Sequence, residues 1–212
     1  MLHIDVILYV LLIDFLAIMS PGPDFFMIFK TALTDSKLAA AYVTIGIVVS
    51  SGCIFLMGIF GIGILVTNNP YLLKFISYSG ACYLIYLAIK AMMFKPSDDK
   101  VINITKDTTN HSINKLQYFV SGLLCNATNP KAFMFVVALS AYVANNGNIY
   151  TDGVCVVIGS VIISILWFFL VIIIFGHRLV QERFYRYQKI IHIIFAIVLL
   201  LVAYNIIIIF QK

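Results

Sequence analysis

The sequence predicts an all-α membrane protein with six transmembrane helices. Of its 212 residues, 62% are hydrophobic and 11% are charged, and the mean hydropathy is +1.04. A soluble domain carries about 25% charged residues, so this chain has too few to cover a surface in water. Its apolar runs are continuous and do not alternate, which indicates membrane helices and not the strands of a barrel.

Six apolar stretches are each long enough to cross the bilayer core, which takes about 20 residues. The predicted spans are residues 4–29, 40–66, 71–94, 117–143, 153–175 and 190–210. A polar stretch divides them into a first half (1–94), a cytoplasmic loop (95–116) and a second half (117–212). The N-terminus lacks the cationic region and the cleavage site of a signal peptide, so we expect the first span to remain as a helix.

The basic residues of the loops predict the orientation, because cytoplasmic loops carry the excess of lysine and arginine. Eleven follow the odd-numbered spans: Lys30, Lys37, Lys90, Lys95, Lys100, Lys106, Lys115, Arg178, Arg183, Arg186 and Lys189. The opposite side holds only Lys74 and Lys212. We therefore predict that both termini are periplasmic. Because each half has an odd number of spans, any structural repeat between the two three-helix halves is inverted.

The first span of each half is interrupted by a helix breaker. The stretch "SPGPD" begins at Ser20, and "TNPK" begins at Thr128. Interrupted spans at corresponding places in two halves are the best sequence indication of a transporter's binding site. The alternative for each break is a proline kink that only shapes helix packing.

The prolines of the two breaks have a chemical consequence, because proline disrupts the hydrogen bond to the carbonyl four residues before it. Pro21 and Pro130 therefore free the carbonyls of Ala17 and Asn126. Each break restarts a helix near a proline, and Asn129 is a suitable N-cap for the second one. Helix N-termini bind carboxylates, and freed carbonyls accept hydrogen bonds from an ammonium group. The breaks thus predict a site for a zwitterionic amino acid.

Three formal charges lie well inside the predicted spans: Asp14, Asp24 and Lys131. Each costs roughly 2.5–3.5 kcal/mol on insertion scales and marks a substrate or ion path. In straight helices Asp14 and Lys131 lie within roughly 5 Å of the membrane midplane, and Asp24 lies about 10 Å nearer the cytoplasm. This depth favours Asp14 as the partner of Lys131; the alternative for Asp14 is a buried acid without a transport role. We interpret His192, at the start of the last span, as an interfacial residue.

Cysteines and glycines in the spans are expected to be packing residues. The four cysteines form no CxxC pair and no Cys/His cluster, as a redox or zinc site would require. The second span holds five glycines, which allow helices to approach closely; lining a passage is the alternative. They are Gly46, Gly52, Gly58, Gly61 and Gly63.

Four stretches of the chain match a known family, in order and over nearly its whole length. They are "SPGPDFFMIFKTAL" (Ser20–Leu33), "TIGIVVSSG" with Gly46, "LLKFISYSGACYLIYLAIKAM" (Leu72–Met92) and "FVSGLLCNATNPKAFMF" (Phe119–Phe135). In these stretches the chain resembles the LysE/RhtB family of bacterial amino-acid exporters. It departs from the family at Asp24, where asparagine is common, and at Ser50, where glycine is common.

The resemblance implies a six-helix carrier of the bacterial inner membrane, not an enzyme, that exports amino acids or close derivatives in exchange for protons. The motifs PGP and NPK fall on Pro21, Gly22, Pro23, Asn129, Pro130 and Lys131. Asp24 and Asn126 beside these motifs complete the predicted substrate site. Asp14 and Asp24 are the candidate proton-coupling acids.

The expected partners are a small amino-acid substrate and the lipid bilayer, and a homo-oligomer is compatible with the sequence. We expect no nucleic-acid partner, because the net charge of +5 reflects loop charges in a chain this apolar. We expect no cofactor and no metal, with transport driven by the proton gradient. The alternative function is an intramembrane redox or metal-ion handling protein of similar size.

Overall fold

The computed structural model describes residues 2–20, 22–63, 69–93, 114–174 and 178–211. Within these ranges the chain forms eight α-helices and one π-helical segment. The helices are α1 (Ile4–Met19), α2 (Pro23–Thr34), α3 (Lys37–Leu56), α4 (Pro70–Met92), α5 (Lys115–Ala127), α6 (Pro130–Asn146), α7 (Thr151–Ile174) and α8 (Arg178–Gln211). The π-helical segment, Met57–Gly63, continues α3. The prediction of an all-α protein is confirmed.

Four helical stretches of the described chain are each long and apolar enough to cross a membrane. They are Lys37–Gly61, Lys74–Met92, Thr151–Ile174 and Lys189–Ile208. Two helix pairs pass the same test together: α1 with α2, bent by 51°, and α5 with α6, bent by 57°. If each bent pair is one span, the count is six, as the sequence predicts. Most of the predicted cytoplasmic loop lies outside the described residues, and the division into two inverted halves stays a prediction.

Both bends lie at the predicted helix breakers. Helices α2 and α6 each begin on a proline, Pro23 and Pro130. The N-cap of α6 is Asn129, whose side-chain oxygen accepts a hydrogen bond from the backbone N–H of Lys131 at 3.0 Å. The predicted cap is therefore confirmed. Helix α2 has Gly22 at the same place, without a side-chain cap.

Glycines bring two helix backbones into direct contact where α3 crosses α5. A Cβ added at Gly46 would lie 2.7 Å from the backbone nitrogen of Leu123, and one at Gly122 would lie 2.8 Å from the carbonyl carbon of Val43. Real Cβ atoms do not approach other atoms so closely. The predicted packing role of Gly46 is thus confirmed. The same test leaves open space around Gly61, where no packing role is seen.

Side-chain contacts join distant parts of the chain at both ends of the helix bundle. At one end, which we call the outer end, Nδ1 of His3 lies 2.7 Å from Oδ2 of Asp152. At the other, the inner end, the hydroxyl of Tyr118 donates a hydrogen bond to Asp35 at 3.0 Å. The loop charges predict that the outer end is periplasmic and the inner end cytoplasmic.

Candidate functional site

A polar cavity lies between the two helix breaks. Its volume is about 60 Å³, room for a few water molecules. Gly22 and Asp24 line it from the first break, Asn129 and Lys131 from the second, and Asp14 from α1. The two breaks therefore face one shared cavity across the bundle, as the sequence predicts. Pro21 lies outside the described residues.

Lys131 reaches across this cavity to the end of α1. Its ammonium donates hydrogen bonds to the carbonyl oxygens of Ala17 at 3.2 Å and Ser20 at 3.3 Å. The first of these is the carbonyl that Pro21 was predicted to free. Carbonyls at a helix C-terminus stabilise a positive charge. A Cβ at Gly22 would lie 3.3 Å from the Lys131 nitrogen, so the glycine of the PGP motif leaves room for the ammonium.

Asp24, in the first turn of α2, is held by the second break. Its Oδ2 accepts a hydrogen bond from Nδ2 of Asn126 and another from Nδ2 of Asn129, each at 3.0 Å. Its carboxylate also interacts electrostatically with Lys131. The depth estimate for Asp24 assumed a straight helix, and the 51° bend removes that assumption. The acid lines the same cavity as Lys131 and is not confined to the inner mouth.

Asp14 is the second acid of the cavity. Its side chain is 3% exposed, and its Oδ2 makes no hydrogen bond with any described residue. Two hydroxyls of α7 are near it: Ser160 is its polar neighbour, and Ser164 lines the same cavity. Leaving a buried charged oxygen without a partner is costly, so the position of this acid needs an explanation.

Phenylalanines form the apolar part of the cavity wall. They are Phe25, Phe55, Phe135 and Phe168. The sequence does not single them out, because the helices that carry them are apolar on nearly every face. Ser51 and Ser164 add two hydroxyls that the sequence also gave no reason to select.

His192 is buried and faces the site. Its side chain is only 7% exposed, and its ring interacts electrostatically with Lys131. Helix α8, which carries it, packs against α1. The interpretation of this residue as interfacial concerns its depth in the membrane and stays a prediction. The helix begins at Arg178, almost four turns before His192, but the candidate span Lys189–Ile208 begins only three residues before it, as predicted.

Asp152 is a buried charge that the sequence reasoning missed. Its side chain is fully buried at the start of α7. It accepts hydrogen bonds from the backbone N–H of His3 at 3.2 Å and of Asn148 at 2.6 Å. The predicted fifth span began at residue 153, so this acid was counted as a loop residue.

The described residues contain no group of three or more His, Cys, Asp or Glu side chains that could hold a metal ion. The four cysteines, all within the described helices, are free thiols. The polar groups that line the cavity include an ammonium, two carboxylates and two carboxamides.

Comparison with known proteins identifies the family of this chain. A family model described as LysE type translocator matches residues 15–209, which include both helix breaks. The chain belongs to this family. The resemblance inferred from the motifs is confirmed, and the chain is a multi-pass membrane protein of a family of transporters.

Individual relatives of this LysE-family protein are similar over most of its length. It is 25% identical to the uncharacterized membrane protein YrhP of Bacillus subtilis (strain 168), over 84% of this chain and 87% of that protein. It is 25% identical to the threonine efflux protein of Escherichia coli (strain K12), over 86% of this chain and 87% of that protein. It is 27% identical to the threonine efflux protein of Salmonella typhi, over 65% of this chain and 66% of that protein. No solved structure matches the chain.

Proposed function

We propose that this protein exports a small neutral amino acid from the bacterial cytoplasm in exchange for protons, across the inner membrane and with both termini periplasmic. The substrate binds in the cavity between the two breaks. The observation that carries the proposal is the buried ammonium of Lys131 in that cavity, hydrogen-bonded to the carbonyls of Ala17 and Ser20. Membership of the LysE family supports the direction of transport.

Lys131 is the group that binds the substrate carboxylate. Its two carbonyl partners carry only partial negative charges, whereas a carboxylate carries a full one and attracts an ammonium more strongly. The carboxylate therefore competes well for this ammonium. The N-terminus of α2, which begins at Pro23, adds positive potential beside it.

The cavity wall favours a short, uncharged substrate side chain. The phenylalanines exclude a charged group, whereas Ser51 and Ser164 can hydrogen-bond a hydroxyl. We take L-threonine as the first substrate to test, because two of the relatives are named threonine efflux proteins. The cavity is too small to admit an amino acid in this conformation, so the helices around it must part during transport.

A carboxylate in the cavity supplies the coupling to protons. It binds a substrate ammonium when it is ionised, and a proton neutralises it and releases that ammonium. Asp14 and Asp24 both line the cavity and are the candidates. A proton taken up from the outer solution then favours release of the amino acid on that side.

Export is tested in cells that are fed dipeptides and express the protein. Hydrolysis of the dipeptides raises the internal amino acid, and an exporter should lower that level and raise the amino acid in the medium. A panel of dipeptides identifies the substrate. Lys131→Ala should abolish export while the protein still inserts, and Lys90→Ala, which changes an exposed lysine above the Tyr86 ring, is the matched control. Near-normal export by Lys131→Ala would contradict the proposal.

Proton exchange is tested separately, by measuring export at external pH 6 and pH 8. A larger inward proton gradient at the lower pH should speed export, and dissipating the gradient with an uncoupler should remove the difference. Export that is equal at both values and insensitive to the uncoupler would contradict proton coupling and leave amino-acid export standing.

A further inference from the structure

The two acids of the cavity differ in what already binds them. Oδ2 of Asp24 accepts hydrogen bonds from Asn126 and Asn129 at 3.0 Å. These bonds join the start of α2 to the end of α5 and the N-cap of α6, so they hold the two breaks together. Asp24 therefore acts as a positioning residue for the cavity.

Oδ1 of Asp24 is also buried without a hydrogen bond among the described residues, but this carboxylate has the two amide bonds to Oδ2 and the attraction of Lys131, whereas Asp14 has neither. The Asp14 side chain is 3% exposed and lines the cavity, and its Oδ2 makes no hydrogen bond with the described part of the chain. A buried carboxylate in this condition is costly, and the cost falls when a cation or a proton reaches it. A cation or a proton at this oxygen would therefore offset the cost of burying it.

Asp14 and Lys131 line the same cavity, beside the C-terminal half of α1. The Lys131 ammonium rests on the carbonyl oxygen of Ala17. Asp14 and Ala17 are three residues apart, so they lie on one face of α1 and are separated by about 4.5 Å along its axis. The cavity therefore presents a carboxylate and an ammonium, and an α-amino acid carries the two complementary charges on one carbon.

We propose that Asp14 binds the ammonium group of the substrate and that a proton competes with this ammonium for the same carboxylate. This inference rests on the proposed function, and it selects Asp14 over Asp24 as the carboxylate that couples export to protons. Lys131 binds the substrate carboxylate at the other side of the cavity. One proton from the outer solution adds to the Asp14 carboxylate as the ammonium leaves, and the same proton later passes to the inner solution. No other bond forms or breaks.

Several charged and titratable groups lie on the helices packed around α1 and its cavity. They are Lys131 and Tyr142 of α6, Asp24 of α2, His192 of α8 and, near the outer end of α7, Asp152 and Cys155. Lys131 balances one of the two cavity carboxylates. The other requires a cation, which in this scheme is the substrate ammonium or the proton.

The first test compares L-threonine with 2,3-dihydroxybutanoate, which replaces the ammonium by a hydroxyl. Calorimetry on the purified full chain should show that the wild type prefers L-threonine by at least ~30-fold, the range for losing one partner of a buried charge pair. Asp14→Asn should reduce this preference below about 3-fold. Asp24→Asn should lower the affinity for both ligands and keep the preference. Ser160→Ala, a change in an uncharged neighbour of Asp14, is the matched control and should keep it as well.

The second test is the pH dependence of the same affinities between pH 8 and pH 5. The wild-type affinity for L-threonine should fall as the pH falls, because protons displace the ammonium, and the affinity of Asp14→Asn should fall much less. If the dipeptide panel selects another amino acid, that amino acid and its 2-hydroxy acid replace the threonine pair.

Three outcomes would overturn the role assigned to Asp14 and leave the proposed export function standing. They are a wild type that binds the analogue as tightly as the amino acid, an Asp14→Asn variant that keeps both the preference and the pH dependence, and a loss of preference in Asp24→Asn instead. The first of these needs no variant, so it holds even if Asp14→Asn does not fold. A wild type that neither binds nor exports any amino acid of the panel would overturn the proposed function itself.

Discussion

Gly122→Ala tests whether the crossing of α3 and α5 sets the geometry of the cavity. The added methyl group would lie 2.8 Å from the carbonyl carbon of Val43, and ordinary contact begins at 3.4 Å. The obstacle is backbone, which cannot turn aside as a side chain can. The two helices must therefore separate by at least 0.6 Å at this point.

Two opposing effects decide the change in stability. Alanine is favoured over glycine within a helix by about 1 kcal/mol. Overpacking a close contact costs typically about 1–3 kcal/mol, and a rigid obstacle on both sides places this site at the upper end. The net result is a loss of about 2 kcal/mol, which corresponds to a fall of roughly 4–8 °C in the melting temperature of a chain this long.

The displacement should also reach the cavity. Asn126 lies one turn after Gly122 on the same face of α5 and donates a hydrogen bond to Asp24. A shift of several tenths of an ångström lengthens that 3.0 Å bond. We therefore expect Gly122→Ala to reduce export by more than its lower abundance in the membrane explains.

Thermal unfolding in detergent and export per inserted molecule measure the two effects. The matched control is Gly61→Ala, where an added Cβ meets nothing within 4 Å; it should keep both values. An unchanged melting temperature and normal export for Gly122→Ala would refute the reasoning, because they would show that the crossing has room for a methyl group.

Two further predictions concern orientation and the second break. Reporter fusions in the loop 95–113 should read cytoplasmic and a fusion after Lys212 should read periplasmic; a cytoplasmic C-terminus would overturn the orientation derived from the loop charges. Asn129→Ala removes an N-cap and one bond to Asp24, so it should lower stability by about 1 kcal/mol and impair export. Tyr118→Phe removes an exposed hydrogen bond at the inner end and should change neither stability nor export. Equal effects of the two variants would contradict the claim that Asn129 matters because it caps α6 and binds Asp24.

The sequence predicts those features of the site that local chemistry determines. Proline ends a hydrogen-bond ladder wherever it stands, so the positions of both breaks and the freed carbonyl of Ala17 follow from residue types alone. Asn129 is an N-cap for the same reason. A charge within an apolar span is costly in any fold, so Asp14, Asp24 and Lys131 are identified without knowledge of the packing.

The features that the sequence does not predict depend on angles and rotations between helices. The depth of Asp24 changes with the bend between α1 and α2, which no residue type specifies. The burial of His192 depends on which face of α8 meets α1, and a helix that is apolar on most sides gives no sign of that rotation. Asp152 was missed for a simpler reason, since the predicted span began one residue after it.

The contact at the outer end joins α1 to the chain between α6 and α7. Asp152 accepts hydrogen bonds from two backbone N–H groups and lies against the ring of His3, so it ties the start of α1 to the connection between α6 and α7. Deeper between the same helices, Tyr9 stacks on Tyr142 with ring centroids 4.7 Å apart. If the proposed substrate is released outward between α1 and α6, both contacts must break.

Asp152→Asn should therefore favour the outward-open conformation. The amide can keep Oδ2 as its acceptor oxygen and then loses one charge-assisted bond, from the His3 N–H to Oδ1, which is worth about 1.5 kcal/mol. Since about 1.4 kcal/mol is a tenfold change in an equilibrium, the open population should rise by roughly 10-fold.

Cys155 lies one turn along α7 and is half-buried, so its labelling by a membrane-impermeant maleimide reports the opening when the other three cysteines are replaced by serine. Labelling from the outside should become several-fold faster in Asp152→Asn, whereas Asp35→Asn, at the inner end, should leave it unchanged. Equal labelling rates in the wild type and Asp152→Asn would show that this contact is only structural and that the cavity opens elsewhere.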